Sequence, residues 1–294
     1  MAGLEVRPAR EEDREAVLAF CRQTWDWGDY IDRVWDEWLH AENGLLLVAT
    51  IDGQPVGVAN VRMLNAQEAW MEGMRVDPAF REQGIASALF DAQIAEARRR
   101  GASSARLITE ASNNAAVRLI ERSSMRRVSA YALYQAGPIA AGSKRTHGIE
   151  TPILATAGDI GEIIDYLNLS NIFPAVGGLY NAGWTAYSIT ADLIGEKVKA
   201  QQVYLLRRWE RLDGLVICEA RDRGEEKQLF VGYIDGTTES ISLLAYAMRA
   251  MLPQFGVETV QANIPDLIMV RDAFTGAEYE WDGHVFYIYE RELS

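Results

Sequence analysis

The sequence runs through one pattern twice. Gly57 recurs as Gly214, Asp77 as Asp235 and Gly101 as Gly256, at offsets of 157, 158 and 155 residues. One long repeat means two copies of one domain, not a solenoid of short units. The first copy alternates strand and helix. Leu4–Pro8 reads as a strand and Glu11–Gln23 as a helix, with Val17, Leu18 and Cys21 on one face. Tyr30–Ala41 reads as a second helix. Leu45–Ile51 and Gln54–Leu64 flank a hairpin turn at Asp52-Gly53. Ala69–Val76 is a strand, Ile85–Arg100 a helix capped at Gly101, Ala105–Thr109 a strand, Asn114–Glu121 a helix and Val128–Tyr134 a strand. The second copy follows with strands at Ile149–Leu154, Val203–Arg208, Leu215–Arg221 and Gln228–Ile234, a turn at Asp213-Gly214, and helices at Asp159–Leu169 and Ser240–Leu252. The stretch between the copies is rich in Gly, Ala and Ser. The expected division is therefore a domain over 1–137, a linker over 138–148 and a domain over 149–294.

Charge separates the copies. The chain carries −13 overall, of which −11 falls in residues 148–294. An acidic half repels nucleic acid and anionic membrane, and it tolerates cationic substrates. No apolar run approaches the roughly 18 residues of a membrane helix, and the charged first twenty residues hold no apolar region of the signal-peptide kind. Two distant cysteines, Cys21 and Cys218, imply no disulfide framework and suggest a reducing cytoplasm. His40, His147 and His284 are scattered, and no metal-ligand spacing is present.

One loop carries chemistry. Between the strand ending at Val76 and the helix starting at Ile85 lies Asp77-Pro78-Ala79-Phe80-Arg81-Glu82-Gln83-Gly84. A strand feeding a tight turn and a helix N-terminus presents unpaired backbone N–H groups, and the helix dipole favours an anion there. Gly84 and Ala86 keep side chains small, so a phosphate can reach the backbone, and Arg81 adds positive charge. A strand-to-helix connection of this kind also occurs with no ligand at all.

The segment from Trp70 to Ala97 resembles the coenzyme-binding core of the GNAT superfamily of acetyl-CoA-dependent N-acetyltransferases. Val76-Asp77-Pro78 is followed by Arg81, Gly84 and Ala86 at the spacing of the family's (Arg/Gln)-x-x-Gly-x-(Gly/Ala) signature. The family's order of elements covers residues 4–134, and the second half looks like a further, degenerate copy. The implied fold class is α/β (α+β): two GNAT-like domains, each a mixed, mostly antiparallel twisted sheet flanked by helices. By the resemblance, backbone N–H groups of Arg81, Glu82, Gln83, Gly84, Ile85, Ala86 and Ser87 would cradle the coenzyme A pyrophosphate. The strand through Met74, Arg75 and Val76 would splay from its neighbour and bond the pantetheine arm. Asn113 and Ala116, in the family's Asn-x-x-Ala-x-x-Leu pattern, would touch the coenzyme.

Two departures stand out. Where the family often has a Tyr that protonates the leaving thiolate, this chain has Ile120, so the proton would come from water, Tyr131 or Tyr134, or not be needed. The second copy's loop, Asp235-Gly236-Thr237-Thr238-Glu239-Ser240, is shorter and lacks both the Arg and the Gly-x-Ala spacing. Coenzyme binding is not expected there.

Transfer to an amine needs the amine neutral, and an alkylammonium has a pKa near ~10.4. A carboxylate can accept that proton. Glu68 and Glu72, evenly spaced on one strand face with Trp70 and Met74, are the candidate bases; each is also readable as a solvated strand residue, Glu68 more so than Glu72. Trp25, Trp27 and Tyr30 are the candidate wall of the acceptor pocket, and Trp35 and Trp38 are assigned to the core. The segment from Phe173 to Tyr180, Gly-rich and aromatic, reads either as a loop over the first domain's site or as an irregular helical region of the degenerate copy. The expected activity is transfer of an acetyl group from acetyl-CoA to a primary amine, on a small molecule or a protein, with no nucleic-acid or membrane partner. The alternative is a non-catalytic acyl-CoA-binding or scaffold protein. The acceptor and the oligomeric state have no signature in the sequence.

Overall fold

In the computed structural model, residues 3–22, 24, 28–139, 151–223 and 226–293 are described. They form two compact units. Unit 1 comprises residues 1–109, 113–127 and 288–294, and unit 2 comprises 110–112 and 128–287. Neither unit is a contiguous half of the sequence: residues 128–137 belong with unit 2 and the last seven with unit 1. Of the expected linker, only Pro138 and Ile139 fall among the described residues.

Unit 1 contains β1 (Leu4–Pro8), α1 (Arg14–Cys21), α2 (Ile31–Leu39), β2 (Gly44–Ile51), β3 (Gln54–Met63), β4 (Glu68–Val76), α3 (Ile85–Arg99), β5 (Ser104–Glu110, to Thr109) and α4 (Asn114–Arg122). Strands β1 to β4 pair antiparallel in sequence order and β4 pairs β5 in parallel. Alternation explains the two cores. Val48 and Val58 face α1 and α2, packing on Val17, Trp35 and Trp38. Ala49 and Ala59 face Ile85 and Leu89 of α3. The hairpin turn at Asp52-Gly53 is as expected, both residues having positive φ.

Unit 1 closes on the chain's last strand, β14 (Glu280–Glu292). The Leu293 N–H donates to the Ser103 carbonyl at 2.8 Å, and Arg106 of β5 bonds Glu290 at 2.6 Å. A guanidinium with almost no exposure needs carboxylates on both sides, and Glu68 supplies the other at 2.7 Å.

Unit 2 contains β6 (Arg126–Ala136, from Val128), β7 (Ile153–Leu154), α5 (Ile160–Leu169), α6 (Ile172–Ala175), β8 (Leu179–Asn181), β9 (Ala186–Ser188), α7 (Ala191–Lys199), β10 (Val203–Arg208), β11 (Arg211–Arg223), β12 (Glu226–Gly236), α8 (Thr238–Phe255), β13 (Thr259–Pro265) and α9 (Ile268–Gly276). Strands β10, β11 and β12 pair antiparallel, β12 pairs β13 in parallel and β13 pairs β6 antiparallel. A parallel junction thus occurs in each unit, after its run of antiparallel strands. The core is α8 and α9 packed on the sheet, with Leu244, Met248, Leu252 and Phe274 fully buried.

The turn expected at Asp213-Gly214 lies elsewhere. Trp209 and Glu210 make it, with φ of 53° and 64°, and Asp213 and Gly214 are inside β11. Gly214 is a glycine for another reason: a Cβ there would stand 2.9 Å from the Asp235 carbonyl and 3.1 Å from Leu244. Gly57, its repeat partner, is pressed in the same way by Leu89 and the Arg75 carbonyl.

Candidate functional site

The loop after β4 leads into α3 with its backbone donors exposed. Asp77 starts it, its carboxylate accepting from the Ala79 N–H at 2.9 Å, and Pro78–Phe80 make a single helical turn. Glu82 and Gly84 then take φ of +63° and +81°, which reverses the chain into α3. Ile85 and Leu89 anchor the helix on β2 and β3. Residues 81–84 are exposed, and the backbone N–H groups of 81–87 make no hydrogen bond among the described residues. Several unpaired donors at the positive end of a fifteen-residue helix suit a polyanion such as a pyrophosphate.

The strand leading to the cradle is open along one edge. β4 and β5 pair only from Glu68–Trp70 to Ser104–Arg106, so the β4 backbone beyond Trp70 has no partner from β5. On the other side, β3 and β4 slip by one residue: Val58 faces Arg75 and Asn60 faces Glu72, so Gly73 and Met74 together oppose Ala59. This is a β-bulge, which turns backbone groups out of the ladder. Gly73 has φ +69°, and the Trp38 ring lies where its Cβ would be, at 2.4 Å. A splayed strand, a bulge and a cradle in succession match the requirements of an extended amide-bearing chain that ends in a pyrophosphate. The residues present fit that group.

The expected site residues fall into distinct roles. Glu72 is mostly buried on β4, and its Oε1 accepts from Asn60 Nδ2 at 3.0 Å and from Arg62 Nε at 2.8 Å. Glu68 is committed to structure: its carboxylate holds Arg106 and accepts from Asn65 Nδ2 at 2.8 Å. The two candidate bases are therefore not equivalent. Arg75 is folded back on its own unit, with Nε 2.7 Å from Asp29, Nη1 3.0 Å from the Met74 carbonyl and its guanidinium over the Tyr30 ring. Only its backbone is left for a ligand. Met74 and Val76 turn their side chains toward α3. Asn113 caps α4, its Oδ1 accepting from the Ala116 N–H at 3.2 Å, which leaves Nδ2 as its outward donor. Tyr30 packs edge-on against Trp38, and burial pushes its phenol up. Trp35 and Trp38 are core residues. Trp25 and Trp27 lie outside the described residues.

Neither Tyr131 nor Tyr134 stands ready as an acid. Tyr131 is fully buried in unit 2, and its Oη already donates to the Leu179 carbonyl at 3.0 Å. Burial pushes that phenol well above its ordinary range. Tyr134 is packed edge-on against Phe274. Ile120 is buried in unit 1.

The matching region of unit 2 is filled by its own chain. β12 and β13 pair only over Gln228–Val231 and Thr259–Ala262, and β12 bulges at Gly232. Into that opening runs β8. A Cβ on Gly232 would stand 2.1 Å from the Asn181 carbonyl and 2.5 Å from the Tyr180 ring. Asn263 Nδ2 donates to Asn181 Oδ1 at 2.9 Å, and Lys197 sits over the Tyr180 ring at 4.6 Å. The Phe173–Tyr180 segment thus leads into a plug inside unit 2. The loop before α8 is also closed: Thr237 caps the Ser240 N–H, the Ser240 hydroxyl donates to Asp213, and Glu239 pairs with Arg208 at 2.8 Å. Nothing in the local sequence announces the plug, because Tyr180 and Asn181 meet Gly232 from some fifty residues away.

Among the described residues, no cluster of three or more His, Cys, Asp or Glu could hold a metal ion, and no helix is long and apolar enough to cross a membrane. Residues 11–124 match the model of the acetyltransferase (GNAT) family. A histidine N-acetyltransferase of Scomber australasicus is 29% identical over 89 residues, which is 30% of this chain and 26% of that protein. The chain thus spans only about a quarter of that relative's length. The crystal structure of a GCN5-related N-acetyltransferase from Sphaerobacter thermophilus superposes with a TM-score of 0.61 at 15% identity, over 99% of this chain and 96% of that one. A tandem GNAT protein from the clavulanic acid biosynthesis pathway superposes with a TM-score of 0.55 at 14% identity, over 99% of both chains.

Proposed function

Residues 11–124 match the model of the acetyltransferase (GNAT) family, and we propose that this chain transfers an acetyl group from acetyl-CoA to a primary amine at one site, in unit 1. The observation that carries the reading is the run of unpaired N–H groups at 81–87, directly after a bulged strand with an open edge. When bound, acetyl-CoA supplies the acyl thioester. The N–H groups of 81–87, with Arg81, hold its pyrophosphate, and the β4 edge beyond Trp70 holds the pantetheine amides. Backbone N–H groups turned out at the Gly73–Met74 bulge are the kind of donor that stabilises charge developing on a carbonyl oxygen. Glu72 accepts the proton of the acceptor ammonium through Oε2, since Oε1 is held by Asn60 and Arg62. A thiolate is far less basic than the alkoxide or amide anions that need a proton to depart, so it leaves without a dedicated acid, which accommodates Ile120. A relative that acetylates histidine supports an amine acceptor in general, and the acidic charge of the chain favours cationic ones. Free, buried Cys21 and Cys218 fit a reducing cytoplasm.

Titration calorimetry with acetyl-CoA tests the site. The expected result is one site per chain with a Kd in the micromolar range, about −8 kcal/mol. Two sites would overturn the assignment of unit 2, and no binding would overturn the cradle. A second reading, coenzyme binding without turnover, draws on one observation: neither Tyr131 nor Tyr134 is available as an acid. Release of free thiol from acetyl-CoA with a panel of primary amines separates the two, since a binder that releases none with any amine is not a transferase.

A further inference from the structure

Asn60 is a buried amide with no packing rationale. It lies in the middle of β3 with 1% of its surface exposed, among Val56, Val58, Ala59 and Val61. Its Nδ2 makes one hydrogen bond, to Glu72 Oε1, and its Oδ1 has no partner. Leucine would fill a similar volume and leave no buried acceptor unsatisfied, so stability alone disfavours asparagine here. Two further facts bear on the position. Asn60 faces Glu72 directly across the strands, at the last pair before the bulge. Its main chain is pinned from the opposite face: Gln93 Nε2 of α3 donates to the Asn60 carbonyl at 2.6 Å. Arg62, two residues on and therefore on the same face, brings a second donor to the same carboxylate oxygen at 2.8 Å.

Two donors on Oε1 fix the carboxylate plane and leave Oε2 with no protein partner among the described residues. We propose that Asn60 is a positioning residue for proton transfer: with Arg62 it occupies one oxygen of Glu72, so that the other is presented to the acceptor amine. The proposal rests on Glu72 being the base. Asn60 touches neither the acceptor nor the coenzyme in this assignment, and acts only through Glu72. A carboxylate free to rotate would offer its proton-accepting oxygen to the amine only part of the time, and small misplacements of a reacting group are costly.

A double-mutant cycle with Asn60→Leu and Glu72→Gln tests this, read as kcat with saturating amine and, separately, as the Kd for acetyl-CoA. Glu72→Gln is expected to lower kcat by about 100-fold. Asn60→Leu is expected to lower it by about tenfold in the wild-type background and to change it by less than about twofold in the Glu72→Gln background, because a residue that acts through another loses its effect when that other is gone. The Kd for acetyl-CoA should stay unchanged throughout. An equal loss in both backgrounds, or a parallel loss of coenzyme affinity, overturns the proposal and makes Asn60 a structural residue. A wild-type kcat for Glu72→Gln overturns the base itself, and the proposal with it, while the single coenzyme site stands. Asn60→Ala, which removes the donor without adding bulk or charge, covers the case in which the leucine variant does not fold. It is expected to fail in the same pattern.

Discussion

Unit 1 and unit 2 reach the same opening and treat it oppositely. In each, a parallel pair of strands separates after three or four residues, β4 from β5 and β12 from β13. In each, a glycine marks a bulge beside the opening, Gly73 and Gly232. In unit 1 the glycine is backed by an indole from α2 and the strand edge toward β5 is left bare. In unit 2 the glycine is covered by β8, whose Asn181 bonds Asn263 of β13. The two helix N-termini differ likewise. That of α3 has bare N–H groups, whereas that of α8 is capped by Thr237 and holds its own carboxylates through Ser240 and Arg208. The same wedge thus recurs in both units, bare in one and filled by β8 in the other.

The strongest way to break the comparison is to fill both glycines. Gly73→Ala must displace the Trp38 ring at a positive φ, and Gly232→Ala must displace the Asn181 carbonyl; each should cost roughly 2–4 kcal/mol in urea melts. Only Gly73→Ala should also abolish coenzyme binding. Reversing the charge of the cradle comes next. Arg81→Glu should weaken acetyl-CoA about tenfold or more, while Arg208→Glu, at the matching end of unit 2, should leave the calorimetric stoichiometry and affinity alone. Unchanged affinity in the first variant would sink the cradle assignment. Removing part of the plug is milder: Asn181→Ala should cost about 1–2 kcal/mol and still give one coenzyme per chain, because the loop before α8 stays closed.

The smallest effect concerns acid. Burial pushes Asp13 of unit 1 up, but the Arg7 guanidinium and the Arg10 N–H outweigh it and hold the carboxyl below its ordinary value. Its contribution is present at neutral pH and is lost as pH falls through its folded value. Burial holds Asp235 of unit 2 above the ordinary value, the bonds from Tyr233 and Ser170 offsetting only part of it. That contribution is present in acid and is lost as pH rises through the folded value. The stability difference between Asp13→Asn and wild type should therefore shrink toward low pH. For Asp235→Asn the variant should gain on wild type as pH rises. Urea titrations of both variants between pH 3 and pH 8, set beside wild type, check the two slopes, and slopes of one sign would contradict the pairing described.

What was legible in the sequence was what is local. Leu4–Pro8 and Val203–Arg208 are strands over the expected residues, and Asp52-Gly53 makes the expected turn. The turn from Asp77 into the helix at Ile85 was legible because its signals stand in consecutive residues. The misplaced turn at Asp213-Gly214 shows the limit of local signals. Asp-Gly is turn chemistry, yet Trp209 and Glu210 accept left-handed backbone, and Gly214 is required by the close approach of Leu244 instead. The partners that set Glu68 apart from Glu72 were out of reach for the same reason. Spacing puts both on one face, but Glu68 is claimed by Arg106, 38 positions on, and Arg106 in turn by Glu290. No window of sequence contains those partners.

That last ion pair has a consequence for how the molecule is made. A ribosome delivers the chain from its N-terminus, and domains generally fold as they emerge. Unit 1 cannot finish in that order. Until residues 288–293 leave the exit tunnel, Arg106 has one of its two buried carboxylates, Ser103 lacks the Leu293 N–H, and β5 lacks its neighbour β14. Residues made early are thus completed by residues made some 180 positions later, so a clone cut at residue 137 carries the Asp77–Ser87 loop on an unfinished sheet.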